Sequence, residues 1–447
     1  MRFQRFFTIL VGVFLAFAGI SSVALAEKPL IRDFIGLNGH FHFKPELYAP
    51  TCRLVRNYHN INWDVATPGD PINFPVCVNK VNWNTVYGAW ARKGFDTNVC
   101  LMFGSFGPPH RKDYQKLWRD NLNWAEDYGY EVARGLSNGS LATSIEIGNE
   151  PGVEFDDLLF QDVFTRIAKG VRRADPEMKI ITCTAHLAQA DKYHKDLRET
   201  FASPGIQELF DVISVHVYSE KLEKDQAHPW ERSYPEDPEI DYLTRVKDVI
   251  AWRDAHVPEK EIWITEFGYD ACTDRAMERR EGWFEKLGWM GQTELQQAQW
   301  LVRSLLCFSA LEVDRSYIYF YDDKDKASVH AASGLTRNFE PKPAYWAVKQ
   351  FYELLGEYRL NRVIREEVGE LYVYEYINDV SGLLWVLWSP TGHERSYNLT
   401  LRQFPSRKFK LYGMATTDGP APSVIHERVG QSLSLEVGES PVYVRFD

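Results

Sequence analysis

Eight short apolar runs recur along the first three quarters of this 447-residue chain, and helical patterns separate most of them. The runs are Phe34–Phe43, Arg53–His59, Phe95–Gly104, Thr143–Glu150, Met178–His186, Asp211–Tyr218, Glu261–Gly268 and Ser316–Asp322. Leu158–Ala174, Tyr242–His256 and Leu295–Leu311 carry helical periodicity between them. Strand-length runs spaced by helices are the signature of parallel βαβ units. The count predicts an α/β fold, a (β/α)8 TIM barrel of about 320 residues with long loops. An open doubly wound sheet competes, but no glycine-rich phosphate fingerprint follows any run.

After the helical pattern Tyr345–Tyr358 the rhythm changes. Leu371–Ile377, Leu383–Trp388, Ser396–Leu401, Lys408–Tyr412, Val424–Arg428, Ser432–Val437 and Val442–Phe446 read as short strands. Asn378-Asp379, Pro390-Thr391-Gly392 and Asp418-Gly419-Pro420 supply turns between them. Residues 27–358 are therefore expected to form the barrel and 359–447 a small antiparallel β-sandwich. The first 26 residues read as an address instead. Arg2 and Arg5 precede the apolar stretch Phe6–Ile20, and Ala24-Leu25-Ala26 offers a cleavage site. A secreted or periplasmic protein is expected. No other stretch reaches about 18 continuous apolar residues, so no membrane insertion is expected after leader removal.

Charge narrows the partners. Lys plus Arg number 51 against 62 Asp plus Glu, a net charge of −11 without basic runs, which argues against nucleic acid. The six cysteines show no zinc spacing. Export permits disulfides, and Cys52 and Cys77 flank one loop, so their pairing is open. Cys100, Cys183 and Cys307 sit in apolar runs and read as buried thiols.

Three runs end in reactive side chains. In Thr143–Glu150, strand alternation puts Ile145 and Ile147 on one face and Glu146, Gly148 and Glu150 on the other. Glu150 falls at the carboxyl end, where barrel active sites lie. Glu266 likewise closes the apolar run from Glu261. A carboxylate ending a hydrophobic strand is costly unless solvated, paired or useful. Two such groups in one barrel form the pair that glycoside hydrolysis requires, one to donate a proton and one to stay ionised. In Asp211–Tyr218, Ser214, His216 and Tyr218 share the inward face, and Tyr218 is placed to donate to a neighbouring carboxylate. Glu146 lies deeper and reads as the structural partner of an interior arginine, Arg56.

Gly148-Asn149-Glu150-Pro151, His216-Val217-Tyr218 and Trp263-Ile264-Thr265-Glu266-Phe267-Gly268 resemble clan A of the retaining glycoside hydrolases. The barrel-plus-sandwich layout, the leader and Gly36-Leu37-Asn38-Gly39 are most similar to glycoside hydrolase family 39. The resemblance implies that Glu150 is the acid/base, Glu266 the nucleophile, Asn149 the ligand of the sugar 2-hydroxyl and Tyr218 a contact of the nucleophile. It implies an oligo- or polysaccharide substrate. Where the clan has a strand-eight Trp beneath the sugar, this chain has Tyr317-Ile318-Tyr319-Phe320-Tyr321, and alternation makes Tyr321 the expected replacement. An endo-β-glucanase or mannanase of another clan family, and a non-catalytic carbohydrate-binding protein, are the competing readings.

The chain holds 14 Trp, 23 Tyr and 26 Phe. Part of that load falls in the loops expected around the pair: Trp63, Trp83, Trp230, Trp283 and Trp289, each a sugar platform or rim packing. His40 and His186 are expected to line the pocket. The histidines lack metal-ligand spacing and the chemistry requires no ion, so no cofactor or metal is expected.

Overall fold

The computed structural model describes residues 27–77, 81–107, 110–150, 157–185, 198–221, 231–286, 288–380, 382–391, 395–400, 408–427 and 432–446. All eight apolar runs are strands. We label them β1 (Ile35–Gly39), β2 (Leu54–Asn60), β3 (Asp96–Met102), β4 (Ser144–Ile147), β5 (Lys179–Thr184), β6 (Val212–His216), β7 (Glu261–Phe267) and β8 (Arg315–Ile318). They pair in parallel in chain order, and β8 returns to β1 through Ile35↔Ser316 and Leu37↔Ile318, closing the barrel. The expected helices are present as Asp157–Ala174, Tyr242–His256 and Glu294–Ala310. Thr293 opens the last one with a reciprocal capping box to Gln296. Among the described residues no helix is long and apolar enough to cross a membrane.

Outward side chains of the strands, Ile145, Ile147, Ile213 and Val215 among them, join the main core with the helices. Inside the barrel the layers differ in chemistry. Leu54, Ile181, Val212, Trp263 and Tyr317 form an apolar plug near the amino ends of the strands. Gly36 makes room for it, because a Cβ there would fall 2.4 Å from the Tyr317 ring. Above the plug the interior turns polar: Asn38, Arg56, Asn98, Glu146, Ser214 and Thr265 are all fully buried. Burying that many polar groups is tolerable only when they satisfy one another, and the bonds that do so prepare the site.

The β-domain has a six-stranded antiparallel sheet and a two-stranded one, Arg395–Thr400 with Ser432–Val437. Leu371, Val373, Trp385, Leu387, Phe409, Leu435, Val437, Val444 and Phe446 form its own core. Its first strand, Arg359–Glu367, was not expected. It is an edge strand with two register irregularities and mostly solvated side chains, so its sequence lacks the apolar alternation of the others. The next strand, Leu371–Ile377, alternates cleanly. Leu371 and Val373 face the sandwich, while Tyr372, Tyr374 and Tyr376 face the barrel. Tyr372 stacks on Trp388 at 5.0 Å, and Tyr376 shares a 2.8 Å hydrogen bond with Ser309 of the barrel. This tyrosine row docks the domain.

None of the six cysteines is in a disulfide among the described residues. Cys52 and Cys77 do not pair. Cys52 donates to the Leu54 carbonyl and Cys77 to Asp64 Oδ1, so each thiol is spent on its own neighbourhood.

Candidate active site

Two departures from strand geometry place the carboxylates. β4 ends at Ile147, and Gly148 then takes φ +86°, a left-handed conformation that favours glycine. A Cβ at Gly148 would also meet Phe160 at 2.9 Å. Simple alternation would send Asn149 and Glu150 to opposite faces. The turn at Gly148 lets both reach the barrel mouth. In β7, pairing with β6 runs Val215↔Ile264 and then His216↔Glu266, and pairing with β8 skips a residue in the same place. This bulge lets Thr265 and Glu266 both point inward, a re-aiming that bulges commonly provide beside active sites.

Arg56 organises the floor. Its Nε and Nη2 donate to both oxygens of Glu146 at 2.6 and 2.9 Å. Nη1 reaches Asn38 Oδ1 at 2.8 Å and Glu266 Oε1 at 3.0 Å, and Nη2 reaches Asn149 Oδ1 at 2.8 Å. The expected Arg56–Glu146 pair is therefore present, and the same guanidinium continues upward to two site residues. Asn98 and Ser214 complete the shell of Glu146.

Glu266 accepts from Tyr58 Oη at 2.6 Å and Tyr218 Oη at 2.9 Å in addition to Arg56. His216 Nε2 lies 3.6 Å from it. Burial alone would raise the Glu266 pKa, but the charges of His216 and Arg56 and the two phenol donors outweigh it, and the carboxyl is held at about 2. Glu266 is thus a carboxylate at neutral pH. The phenols answer in kind. Burial first, and then the charge of Glu266, push Tyr58 and Tyr218 well above the ordinary tyrosine value, so both remain donors.

Glu150 stands across His216, whose Nδ1 pairs with Glu150 Oε1 at 2.9 Å. The two carboxylates differ in access: the Glu150 side chain is 24% exposed and that of Glu266 is 6%. One is open to a ligand and the other is sealed against the barrel floor. Ligand atoms of Glu150, His216 and Glu266 all lie within 4.8 Å of one another. A small cation could bridge such a trio; here the tyrosines, Arg56 and the imidazole already engage the carboxylates.

Tyr319 and Phe320 face Tyr58, with ring centroids at 6.4 and 6.2 Å. His330 packs edge-on to Tyr218 at 4.5 Å, and the Arg232 guanidinium lies 4.5 Å over the same ring.

The structure corrects several expectations. Tyr321 is not the floor of the pocket. β8 ends at Ile318, alternation stops there, and Tyr321 is buried among Phe43, Tyr48 and Phe339. Tyr319 occupies the position beside Tyr58 instead. Trp83 and Trp289 are packing, not platforms. Trp83 is fully buried and donates to Asp64, and Trp289 fills a small cluster with Cys272, Ala276 and Ala332. Trp63 is half-buried, in an aromatic group with His40 and Phe41. Burial, then His42, lowers His40 to about 4, so it is neutral at pH 7. His186, Trp230 and the side chain of Trp283 lie outside the described residues. Tyr58 was missed, although it is two residues beyond Arg56 on the same strand face and alternation alone would have found it.

No family model matches this sequence, and no curated protein does. Solved structures do match in fold. A family 39 glycoside hydrolase from the gut symbiont Bacteroides cellulosilyticus WH2 aligns over 94% of this chain and 81% of its own, with a TM-score of 0.67 at 14% identity. A glucosidase from Croceicoccus marinus aligns over 94% and 96%, with a TM-score of 0.60 at 13% identity. A family 30 endoxylanase from Clostridium papyrosolvens C71 aligns over 94% and 97%, with a TM-score of 0.54 at 12% identity. The chain has the fold of these glycoside hydrolases of families 39 and 30: a closed (β/α)8 barrel followed by a β-sandwich domain.

Proposed function

We propose that this chain is a secreted retaining glycosidase acting on an extracellular oligo- or polysaccharide. The observation that carries the proposal is the pair itself. A buried carboxylate held ionised and a partly open one flank a histidine at the carboxyl end of the barrel, with oxygens within 4.8 Å. Retaining enzymes place their carboxyl groups about 5–5.5 Å apart and inverting enzymes about 6.5–9.5 Å, which favours double displacement here. The fold shared with glycoside hydrolases supports the same reading.

In this mechanism Glu266 attacks the anomeric carbon while Glu150 gives its proton to the departing glycosidic oxygen. An ester between Glu266 and the sugar results. Esterification removes the charge that Arg56, Tyr58 and Tyr218 had stabilised. Those donors are positioned for the carboxylate, so they recover their full bonds when it leaves again. Glu150 then takes a proton from water, the water oxygen attacks the same carbon, and Glu266 is released. Asn149, with its carbonyl oxygen held by Arg56, is assigned to a sugar hydroxyl. Residues 1–26 are assigned to export, on the arginines, apolar run and cleavage site already described.

The test is a screen of aryl glycosides and polysaccharides with wild type, Glu266→Gln and Glu150→Gln, following the first-formed anomer by NMR. Hydrolysis with retention in wild type alone is expected. Equal activity in all three proteins overturns the assigned pair. An inverted first product overturns the double displacement. Polysaccharide binding without hydrolysis favours the non-catalytic reading.

A further inference from the structure

Tyr218 donates to Glu266, and something must fix Tyr218. The Arg232 guanidinium, 4.5 Å over the phenol ring, is 5% exposed and sits on a short ribbon, Glu220–Lys221 with Glu231–Arg232, that follows β6. Around it stand Asp270 at 3.6 Å from the loop after β7, His330 at 3.5 Å from the loop after β8, and Glu220 of the same ribbon at 3.8 Å. Among the described residues Nη1 of Arg232 makes no hydrogen bond, so much of what the guanidinium gains there comes from the ring and from longer-range charge.

The segment carrying Arg232 is itself tied down from the other domain. Ser233 N–H donates to the Ser219 carbonyl at 2.8 Å, and Ser233 Oγ donates to Asp237. Between them in the chain, Glu236 is fully buried and paired with the equally buried Arg303 of the helix Glu294–Ala310. Trp388 of the β-domain donates its indole N–H to Glu236 Oε1 at 2.6 Å. A path therefore runs from the β-domain through Trp388 to Glu236 by side-chain contact, along the chain from Glu236 to Arg232, and through the Tyr218 ring to Glu266.

We propose that Arg232 is a positioning residue that acts through Tyr218 on Glu266, and that the β-domain holds it in place through the Trp388–Glu236 bond. A cation over the ring withdraws electron density from the phenol and strengthens its O–H as a donor to the carboxylate. The proposal gives the β-domain a part in building the site, and it rests on Glu266 being the nucleophile. Glu266 is faced by Arg56 and Tyr58 from β2, Glu150 after β4, His216 at the end of β6, Tyr218 just after it and Tyr319 after β8. Arg232, His330, Asp270 and Glu220 act on it from behind Tyr218.

The experiment has two arms on full-length protein. Titration of the Glu266 carboxyl by 13C NMR on glutamate-labelled protein, assigned with Glu266→Gln, needs no substrate. Arg232→Met should raise its pKa by about 0.5–1 unit and Arg232→Lys should restore it. Trp388→Phe should shift it in the same direction. In the kinetic arm, Arg232→Met should lower kcat roughly ten-fold with KM little changed, and should add nothing in a Tyr218→Phe background. An unmoved titration in Arg232→Met, or additivity with Tyr218→Phe, overturns the positioning role. An unmoved titration in Trp388→Phe overturns the β-domain link. Loss of all hydrolysis in wild type refutes the proposed function alone, because the NMR arm still decides on Arg232.

Discussion

Tyr58→Phe should move the acid edge of the enzyme into a range where it can be measured. The variant keeps the ring that packs beside Tyr319 and Phe320 and removes only the donor 2.6 Å from Glu266 Oε1. A hydrogen bond to a charged group contributes about 1.5–3 kcal/mol, and one pKa unit is about 1.4 kcal/mol. Glu266, held at about 2 in the intact site, should therefore rise to about 3–4 in the variant. The sign for stability follows from linkage. The folded pKa lies below the unfolded value of about 4.3, so the ionised Glu266 stabilises the fold above that pH, and the contribution is lost as pH falls through the folded pKa. The variant should lose about 1.5–3 kcal/mol at pH 7, and the gap to wild type should narrow by pH 3. The assay is kcat/KM on an aryl glycoside from pH 3 to 8, with urea midpoints at both ends. A profile parallel to wild type down to pH 3 would refute the claim that Tyr58 holds Glu266 ionised.

Other expectations follow from single contacts. Gly148→Ala puts a Cβ 2.9 Å from Phe160 at φ +86°; it should cost about 1–2 kcal/mol in thermal stability and, by displacing Asn149 and Glu150, roughly 100-fold in kcat/KM. Arg303→Met strands the buried Glu236 charge, and a loss of about 3–5 kcal/mol should appear as a lowered unfolding midpoint. Trp289→Ala should cost about 3–5 kcal/mol by opening a cavity, yet leave KM for a small aryl glycoside within about two-fold, as packing rather than platform. Thiol titration of the denatured, unreduced protein should count all six cysteines as free.

Most of the architecture was legible because each barrel strand is a short apolar run that buries one face against helices, and that burial is written in the residues themselves. Arg359–Glu367 was not legible, since an edge strand is half solvated and can be charged along its length. At the site, the residues at the ends of β4 and β7 stood out because charge at the end of an apolar run is conspicuous. Tyr321 misled because alternation was extended three residues past the true end of β8. The loop tryptophans could not be sorted in advance. Trp63 and Trp83 lie in one connection, yet one is half-buried and the other sealed, and only the fold distinguishes them.

The bulge in β7 has a consequence for anyone who would transplant this chemistry. Glu266 faces inward because the strand carries one more residue than its neighbours can match. A chimera that grafts the residue types of β7 onto a regular strand of another barrel would turn the carboxylate out toward the helices. In an alignment the same feature is a one-residue insertion inside a strand. A residue-by-residue correspondence drawn without a gap would match Glu266 to an outward position, so a successful graft must copy the backbone irregularity along with the glutamate.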